Sequence, residues 1–471
     1  MLKKALAVAL TTTGLMLAGC GSDDDSHHNE LAFLDNFPAD GTLLDYQILR
    51  ADLIDGKTQQ TFEIRNGGYG SAMTAHPSHK NWFYALTDRG PNATYTGDQG
   101  KGKKFPVADY TPRIGLFQVN TDGSITQLDT ILLKDRQGNA ITGLPNTSAL
   151  GGTGETPYDA DGKVIPQDDS LPYNATTNPI RLDDYGLDGE GLAAMDDGTF
   201  WISDEYGPHI VHFSAEGVEL DRINAFADDD RVNFHLPAEF ANRRANRGME
   251  GLAVTPDQQY LVGVMQSTMY NPDSAVKDLD ITRIVKISLQ DGSVSQYLYK
   301  QEKNQNSNSE LVALSGTEFL LLERDGSFLY GGPKAADPDA QKQVYRIDLS
   351  DATDLESVAD SGTLAQDSEL GLTIAGETLE EVVLNQGWSA LTDAGITPVS
   401  KALVVDMVSV VNYPHDKMEG LWVIDDSHLG VLNDDDFATW STGGELEQKM
   451  LDSNTIDGNR LYIVEADLST D

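Results

Sequence analysis

Residues 189–210 read GEGLAAMDDGTFWISDEYGPHI. A carboxylate, Glu190, precedes a short apolar run. A turn follows at Asp196-Asp197-Gly198, and a second apolar run, 200–202, ends in Asp204-Glu205. Short aliphatic and aromatic runs bounded by Gly, Asp and Asn read as strands joined by a tight turn. The stretch is therefore expected to be a β-hairpin with carboxylates at both outer ends. The pattern recurs as GMEGLAVTPDQQYLVGVMQS from Gly248, SELVALSGTEFLLLERDG from Ser309 and MEGLWVIDDSHLGVLNDDDF from Met418. A degenerate copy, GSAMTAHPSHKNWFYALTDRGP, starts at Gly70. The leading positions are Ser71, Glu190, Glu250, Glu310 and Glu419, separated by 119, 60, 60 and 109 residues. A fixed internal period marks solenoids, propellers or arrays. Further strand-like runs after most copies give up to four strands per unit, which is the make-up of a propeller blade. The expected fold is an all-β propeller of six blades, with seven as the alternative count. Residues 133–184 and 350–414 fall in the two long gaps and read as insertions. The better helix candidate is 379–391, and a weaker one lies near 237–244.

Composition narrows the function. The 471-residue chain carries a formal net charge of -42, which opposes nonspecific nucleic-acid binding, because that rests on basic surface. Most of the acid serves solubility. The sharper use of some carboxylates is to hold Ca2+, a cation that takes oxygen ligands. Residues 1–19 have a basic start, a short apolar run and the ending Leu17-Ala18-Gly19 before Cys20, and read as a secretory signal. Leu-Ala-Gly-Cys resembles the bacterial lipobox, which implies lipidation of Cys20, export and anchoring in the cell envelope. Gly21 after that Cys favours the outer membrane, with the protein facing the periplasm or the cell surface. Residues 20–40 are then a tether and 41–471 the propeller domain. Membrane contact is expected through the N-terminal lipid only, and the protein is expected to be a monomer. Cys20 is the sole Cys, which excludes internal disulfides and Cys nucleophiles.

Taken together, GEGLAAMDDGTFWISDEYGPHI, RGMEGLAV, KMEGLWVIDDSHLGVLNDDDF and TDRGPN resemble the phytase-like domain family, "esterase-like activity of phytase", over about residues 67–437. The resemblance implies a β-propeller, secretion and an ester or phosphoester hydrolase. The family often has Asn-Asp-Asn-Asp-Phe where this chain has Asn433-Asp434-Asp435-Asp436-Phe437. That departure adds a carboxylate and leaves cation binding intact.

Equivalent positions of propeller blades lie on one ring. Glu190, Glu250, Glu310 and Glu419 should therefore converge on one mouth of the channel, with Asp88, Asp204, Glu323 and Asp434 at the second-strand ends and Glu205 beside Asp204. Clustered carboxylates repel unless neutralised. The neutralisers on offer are Ca2+ and the nearby Arg89, Arg113, Arg247 and Arg324, which would also bind phosphate oxygens bidentately. Glu190 or Asp204 would act as ligand or general base, and His209 as acid–base group or ligand. The competing reading of each is structural: repeated carboxylates hold blades together through amides and ion pairs, and His209 packs in a loop. The expected ligand is a small anionic or ester substrate. Three functions stay open: a metal-dependent hydrolase of phosphoesters or related esters, a non-catalytic propeller binding a ligand or envelope partner, and a lactonase-like Ca2+ propeller acting on carbon esters. No Gly-x-Ser-x-Gly elbow is present, which weakens a serine-esterase mechanism.

Overall fold

The computed structural model describes residues 30–469; Cys20 and the signal-like segment lie outside them. Each motif copy forms a hairpin, and each hairpin is the inner half of a larger antiparallel sheet. The first sheet runs Ala72–Ala75, Trp82–Leu86, Arg113–Val119, Ile125–Leu132. The second runs Gly189–Ala194, Phe200–Asp204, Ile210–Phe213, Glu219–Asn224, with Phe234–His235 added in parallel at its edge. The third is Met249–Val254, Tyr260–Met265, Ile281–Ser288, Val294–Lys300. The fourth is Ser307–Ala313, Glu318–Arg324, Lys342–Asp348, Ser400–Asp406. The fifth joins Gly420–Val423 and His428–Leu432 to Arg460–Glu465, which in turn pairs with Thr42–Leu43 from the other end of the chain.

The first strands of successive sheets pack on one another, and the first strand of the fifth packs on that of the first. Apolar clusters fill the clefts between neighbouring sheets. Ala72, Leu86, Leu192 and Ile202 meet between the first and second. Trp201, Ile210, Leu252 and Val285 meet between the second and third. Val264, Ile284, Leu311 and Phe319 meet between the third and fourth, and Leu320, Val344, Leu421 and Val431 between the fourth and fifth. Phe83, Phe117, Trp422 and Leu461 meet between the fifth and first. The arrangement is propeller-like. Among the described residues the motif-bearing sheets number five, where six blades were expected. The long gaps hold smaller elements instead of a further unit. In the first gap, Ala93–Gly97, Gly100–Lys104 and Thr156–Tyr158 form a three-stranded sheet. In the second, a small sheet at 364–378 leads into helix Leu379–Gln386, capped by Thr378 and Glu381, and then helix Trp388–Asp393. Ser400–Asp406 lies inside the span read as an insertion, but it is the outer strand of the fourth sheet. The weaker helix candidate is a short 3-10 turn, Ala238–Asn242.

Two local features aim the repeated Glu residues. The pairing of the first two strands slips at the Glu in three sheets: between Gly189 and Gly191, Met249 and Leu252, and Asn308 and Glu310. Such a bulge re-aims a side chain that regular pleating would send elsewhere. The Gly that follows three of the four Glu residues is a close-approach position. A Cβ on Gly191 would sit 2.3 Å from Glu250 O, one on Gly251 2.5 Å from Glu310 C, and one on Gly420 2.9 Å from Met73 Cβ. The repeated Glu-Gly is thus a contact between neighbouring sheets.

Trp422 is 1% exposed and packs against Phe33 and Phe83 in the cleft between fifth and first sheets. Trp422→Ala is expected to cost about 3–5 kcal/mol, read as a lower urea midpoint. An unchanged midpoint would show that this cleft adds little to holding the sheets together.

Candidate functional site

At one end of the ring lies a cavity of about 260 Å3 lined by Asp88, Arg89, Asn92, Lys103, Glu190, Glu205, Asn246, Arg247, Glu250, Gln266, Ser307, Arg324, Lys417, Glu419 and Asp436. Six of these are carboxylates and five are cations, a concentration of positive charge that the chain's overall -42 does not suggest.

Much of this charge is paired. Arg89 Nη2 lies 2.5 Å from Asp188 Oδ2 and 3.3 Å from Glu205 Oε2, and its Nε lies 3.5 Å from Asp88 Oδ1. Lys417 Nζ reaches Asp434 at 2.6 Å and Asp436 at 2.9 Å. Arg324 donates to Glu419. Four groups stand apart. Glu190 and Glu250 are 5% and 1% exposed, and among the described residues neither side chain has a hydrogen-bond or ion-pair partner; Glu250 Oε2 is fully enclosed without one. Arg247 forms no ion pair there either, and its Nη1 is buried without a partner. Lys103 forms no ion pair, and its Nζ donates to Asn92 Oδ1 at 3.1 Å.

Burial and mutual repulsion hold protons on these acids. Burial, then Glu250 and Asp188, raises Glu190 well above the usual carboxylate range. Burial, then Glu205 and Glu419, does the same to Glu250, and burial followed by Asp188 raises Asp88. Burial lifts Asp188 to about 7 against the pull of Arg89, and Glu419 to about 7 against Lys417 and Arg324. Asp436 goes the other way: against the cost of burial, Lys417 and Lys449 hold it below its ordinary value. Two like charges about 4 Å apart repel by about 4 kcal/mol at an effective dielectric near 20. Unneutralised carboxylates at this spacing therefore keep a proton or take up a cation.

Two trios of carboxylates have oxygens within 4.8 Å of one another: Asp88, Asp188 and Glu190, and Asp88, Asp434 and Asp436. The second trio is already served by Lys417, with Lys449 Nζ 2.6 Å from Asp436. In the first, one guanidinium, Arg89, faces three acids, and among the described residues the buried Asp188 Oδ1 has no hydrogen-bond partner. Hard oxygen donors with two charges in excess fit a divalent cation such as Ca2+.

Of the residues singled out from the sequence, Asp88, Glu190, Glu205, Glu250, Glu419, Arg89, Arg247 and Arg324 line the cavity, and Asp434 backs it through Lys417. The others do not reach it. Asp204, raised to about 6 by burial, accepts from the Asp188 and Gly207 amides at 2.8 Å each and so fixes the turn beneath the site. His209 is buried between Leu150 O at 3.0 Å and Asn224 at 3.1 Å. Burial, then Arg222 and Arg231, holds it well below its ordinary value, so it is a neutral packing residue rather than an acid–base group. Glu310 turns to the amides of Met73 at 3.2 Å and Leu311 at 2.9 Å. Glu323 accepts from Tyr299, Asn306 and the Glu302 amide. Arg113 lies over Tyr110 and donates to Thr111 O. Sequence reasoning missed Asp188, Lys103, Lys417 and Asp436. Asp188 and Lys417 each stand two places before a motif Glu, a signal that was available.

The chain belongs to the phytase-like family, described as esterase-like activity of phytase, whose model matches residues 64–437. It is 26% identical over 318 residues to an uncharacterized secreted protein of Arthroderma benhamiae, a match covering 55% of this chain and 59% of that protein. The chain thus spans under two thirds of that relative's length. Among solved structures it is similar to the PQQ-bound aldose sugar dehydrogenase of Streptomyces coelicolor, at 9% identity and TM-score 0.30, covering 91% of this chain and 99% of that one. It is also similar to the periplasmic gluconolactonase of Pseudomonas aeruginosa, at 11% identity and TM-score 0.30, covering 88% and 94%. At that level of superposition neither likeness carries an argument about this chain. Among the described residues no helix is long and apolar enough to cross a membrane.

The acids give a stability signature. Asp188 moves from 3.8 unfolded to about 7 folded, and Glu419 from 4.5 to about 7. The folded state therefore binds more protons across that window. The contribution of these groups is fully present below about pH 4 and is lost as pH rises through about 7. In EDTA the melting temperature is expected to fall between pH 5 and 8, and to fall less steeply in Asp188→Asn. A variant as steep as the parent would place the titration elsewhere.

Proposed function

We propose that the cavity is the active site of a hydrolase of phosphoesters or related esters, and that the ring of five sheets is a closed propeller built around it. The carrying observation is the coexistence, in one enclosed space, of unpaired cations and unpaired carboxylates. Arg247 and Lys103 supply positive charge for an anionic group. Glu250, buried and proton-retaining, supplies a proton. The family's described activity supports ester hydrolysis.

Asp88, Asp188 and Glu190 would hold a divalent cation, which when bound would polarise a phosphoryl or carbonyl oxygen. The chain's own groups carry the remaining steps. Arg247 and Lys103 grip the phosphoryl oxygens and fix the phosphorus. A water oxygen bonds to phosphorus as the ester P–O bond breaks. Glu250 gives its proton to the departing alcohol oxygen and is reprotonated from solvent, and the proton lost by the water leaves with the phosphate. Glu205 and Arg324, anchored by Arg89 and Glu419, keep the walls in place. Export, a lipid on Cys20, outer-membrane placement and a monomeric state complete the reading. The non-catalytic alternative, a binding propeller, accounts for the cations but leaves Glu250 without a task.

A panel of phosphomonoesters and carbon esters with Ca2+ and EDTA arms tests this. Glu250→Gln is expected to lower kcat by about 10²–10⁴-fold while Ca2+ still raises the melting temperature. Glu190→Gln is expected to abolish that Ca2+ shift along with activity. Ligand binding without turnover of any ester would overturn the hydrolase reading.

A further inference from the structure

A second chamber of about 230 Å3 adjoins the cavity, lined by Asn92, Ala93, Thr94, Lys103, Asp436, Thr439, Trp440 and Ser441. Three residues, Asn92, Lys103 and Asp436, line both chambers, so they are the shared wall. This wall is rigid: Lys103 donates to Asn92 at 3.1 Å, Asn92 to Gly90 O at 3.1 Å, and Asp436 is gripped by Lys417 and Lys449. The chambers differ in character. The inner one is walled mainly by acidic and basic side chains. The outer one offers hydroxyls and the half-buried indole of Trp440, braced by Phe328 with ring centroids 6.1 Å apart. Trp440 sits on the hairpin Thr439–Thr442/Glu445–Gln448, which packs on strand Ala93–Gly97, the neighbour of the strand bearing Lys103.

Charge fixes what the inner chamber accepts. Arg89, Arg324 and Lys417 are committed to carboxylates, whereas among the described residues Arg247 and Lys103 form no ion pair. Two free cations match one doubly charged group, and further anionic groups would face acid. We propose that the substrate is a monoester carrying a single phosphoryl group in the inner chamber and a ring-bearing alcohol portion in the outer chamber against Trp440, with Lys103 at the junction. This rests on the phosphoester reading above. It narrows the substrate from phosphoesters at large to singly phosphorylated ring alcohols, and it makes Trp440 the residue that selects the leaving group.

Calorimetric titration of the full-length chain with phenylphosphonate and methylphosphonate, neither of which is hydrolysed, tests the binding part without turnover. Phenylphosphonate is expected to bind about tenfold tighter, a contribution aromatic packing can supply. Trp440→Ala should erase that preference, Trp440→Phe should keep most of it, and Lys103→Met should weaken both ligands alike. Inositol hexakisphosphate should bind no tighter than methylphosphonate. Thermal melts of the Trp440 variants separate lost binding from lost folding, and Trp440→Phe carries the test if the Ala variant does not fold. Equal binding of the two phosphonates, a preference that survives Trp440→Ala, tightest binding by the hexakisphosphate, or no binding of either phosphonate overturns the proposal. The expected phosphonate pattern with no turnover of any phosphomonoester upholds this ligand assignment and removes the hydrolase reading alone.

Discussion

The first strands of neighbouring sheets approach so closely that the residue after three of the motif Glu residues has no room for a side chain. Gly191 faces the Glu250 carbonyl and Gly251 the Glu310 backbone. Much of the rest follows from that approach. Backbones packed this tightly carry adjacent bulges toward a shared end, and two of the bulges turn Glu190 and Glu250 into the same small volume, while the third leaves Glu310 on backbone amides. The geometry that makes the ring compact also concentrates like charge, and the chain must neutralise what its scaffold has brought together.

It does so largely with groups set just off the strands. Glu190 and Glu250 lie on strands, whereas Asp88, Glu205, Glu419 and Asp436 lie beyond strand ends, and segments outside the five sheets supply most of the cations: Arg89 after the second strand of the first sheet, Lys103 in the added three-stranded sheet, Arg247 and Lys417 just before the third and fifth sheets. Arg324, at a strand end, is the exception. Loops on a rigid frame are where recognition usually resides, and here they set how much charge is left free. Buried charge gains little stability even when well paired. A cavity with unpaired groups of both signs is therefore poorly explained as a device for holding sheets together.

The sequence carried the repeat because Glu-Gly-Leu answers a packing demand, and any copy that loses the Gly must open the contact. The fourth copy has Leu311 in place of Gly and keeps the hairpin. Sheet number was harder to read. Gaps of 119 and 109 residues look like doubled periods, and only pairing shows that they hold a small side sheet in one case and a small sheet with helices in the other. The second-strand carboxylates misled for a related reason. Asp204 and Glu323 occupy matching motif positions with Asp88, yet local amides and a tyrosine captured them, and capture by a neighbour depends on loops that periodicity does not encode. Lys103 had no motif to announce it, since its strand belongs to the added three-stranded sheet and not to a repeat.

Glu310 and Glu250 show the same rule within one ring. Both lie on the first strand of the same motif, both are buried, and both are raised by desolvation above all. Glu310 finds the Met73 and Leu311 amides and becomes a tie between sheets. Glu250 finds no donor among the described residues and stays proton-bearing beside free cations. A repeated position has no fixed chemistry, because the five sheets are unequal and each Glu meets different neighbours. Function collects where the neighbours leave a group unsatisfied, and in this ring that place is the end where Glu190, Glu250, Arg247 and Lys103 meet.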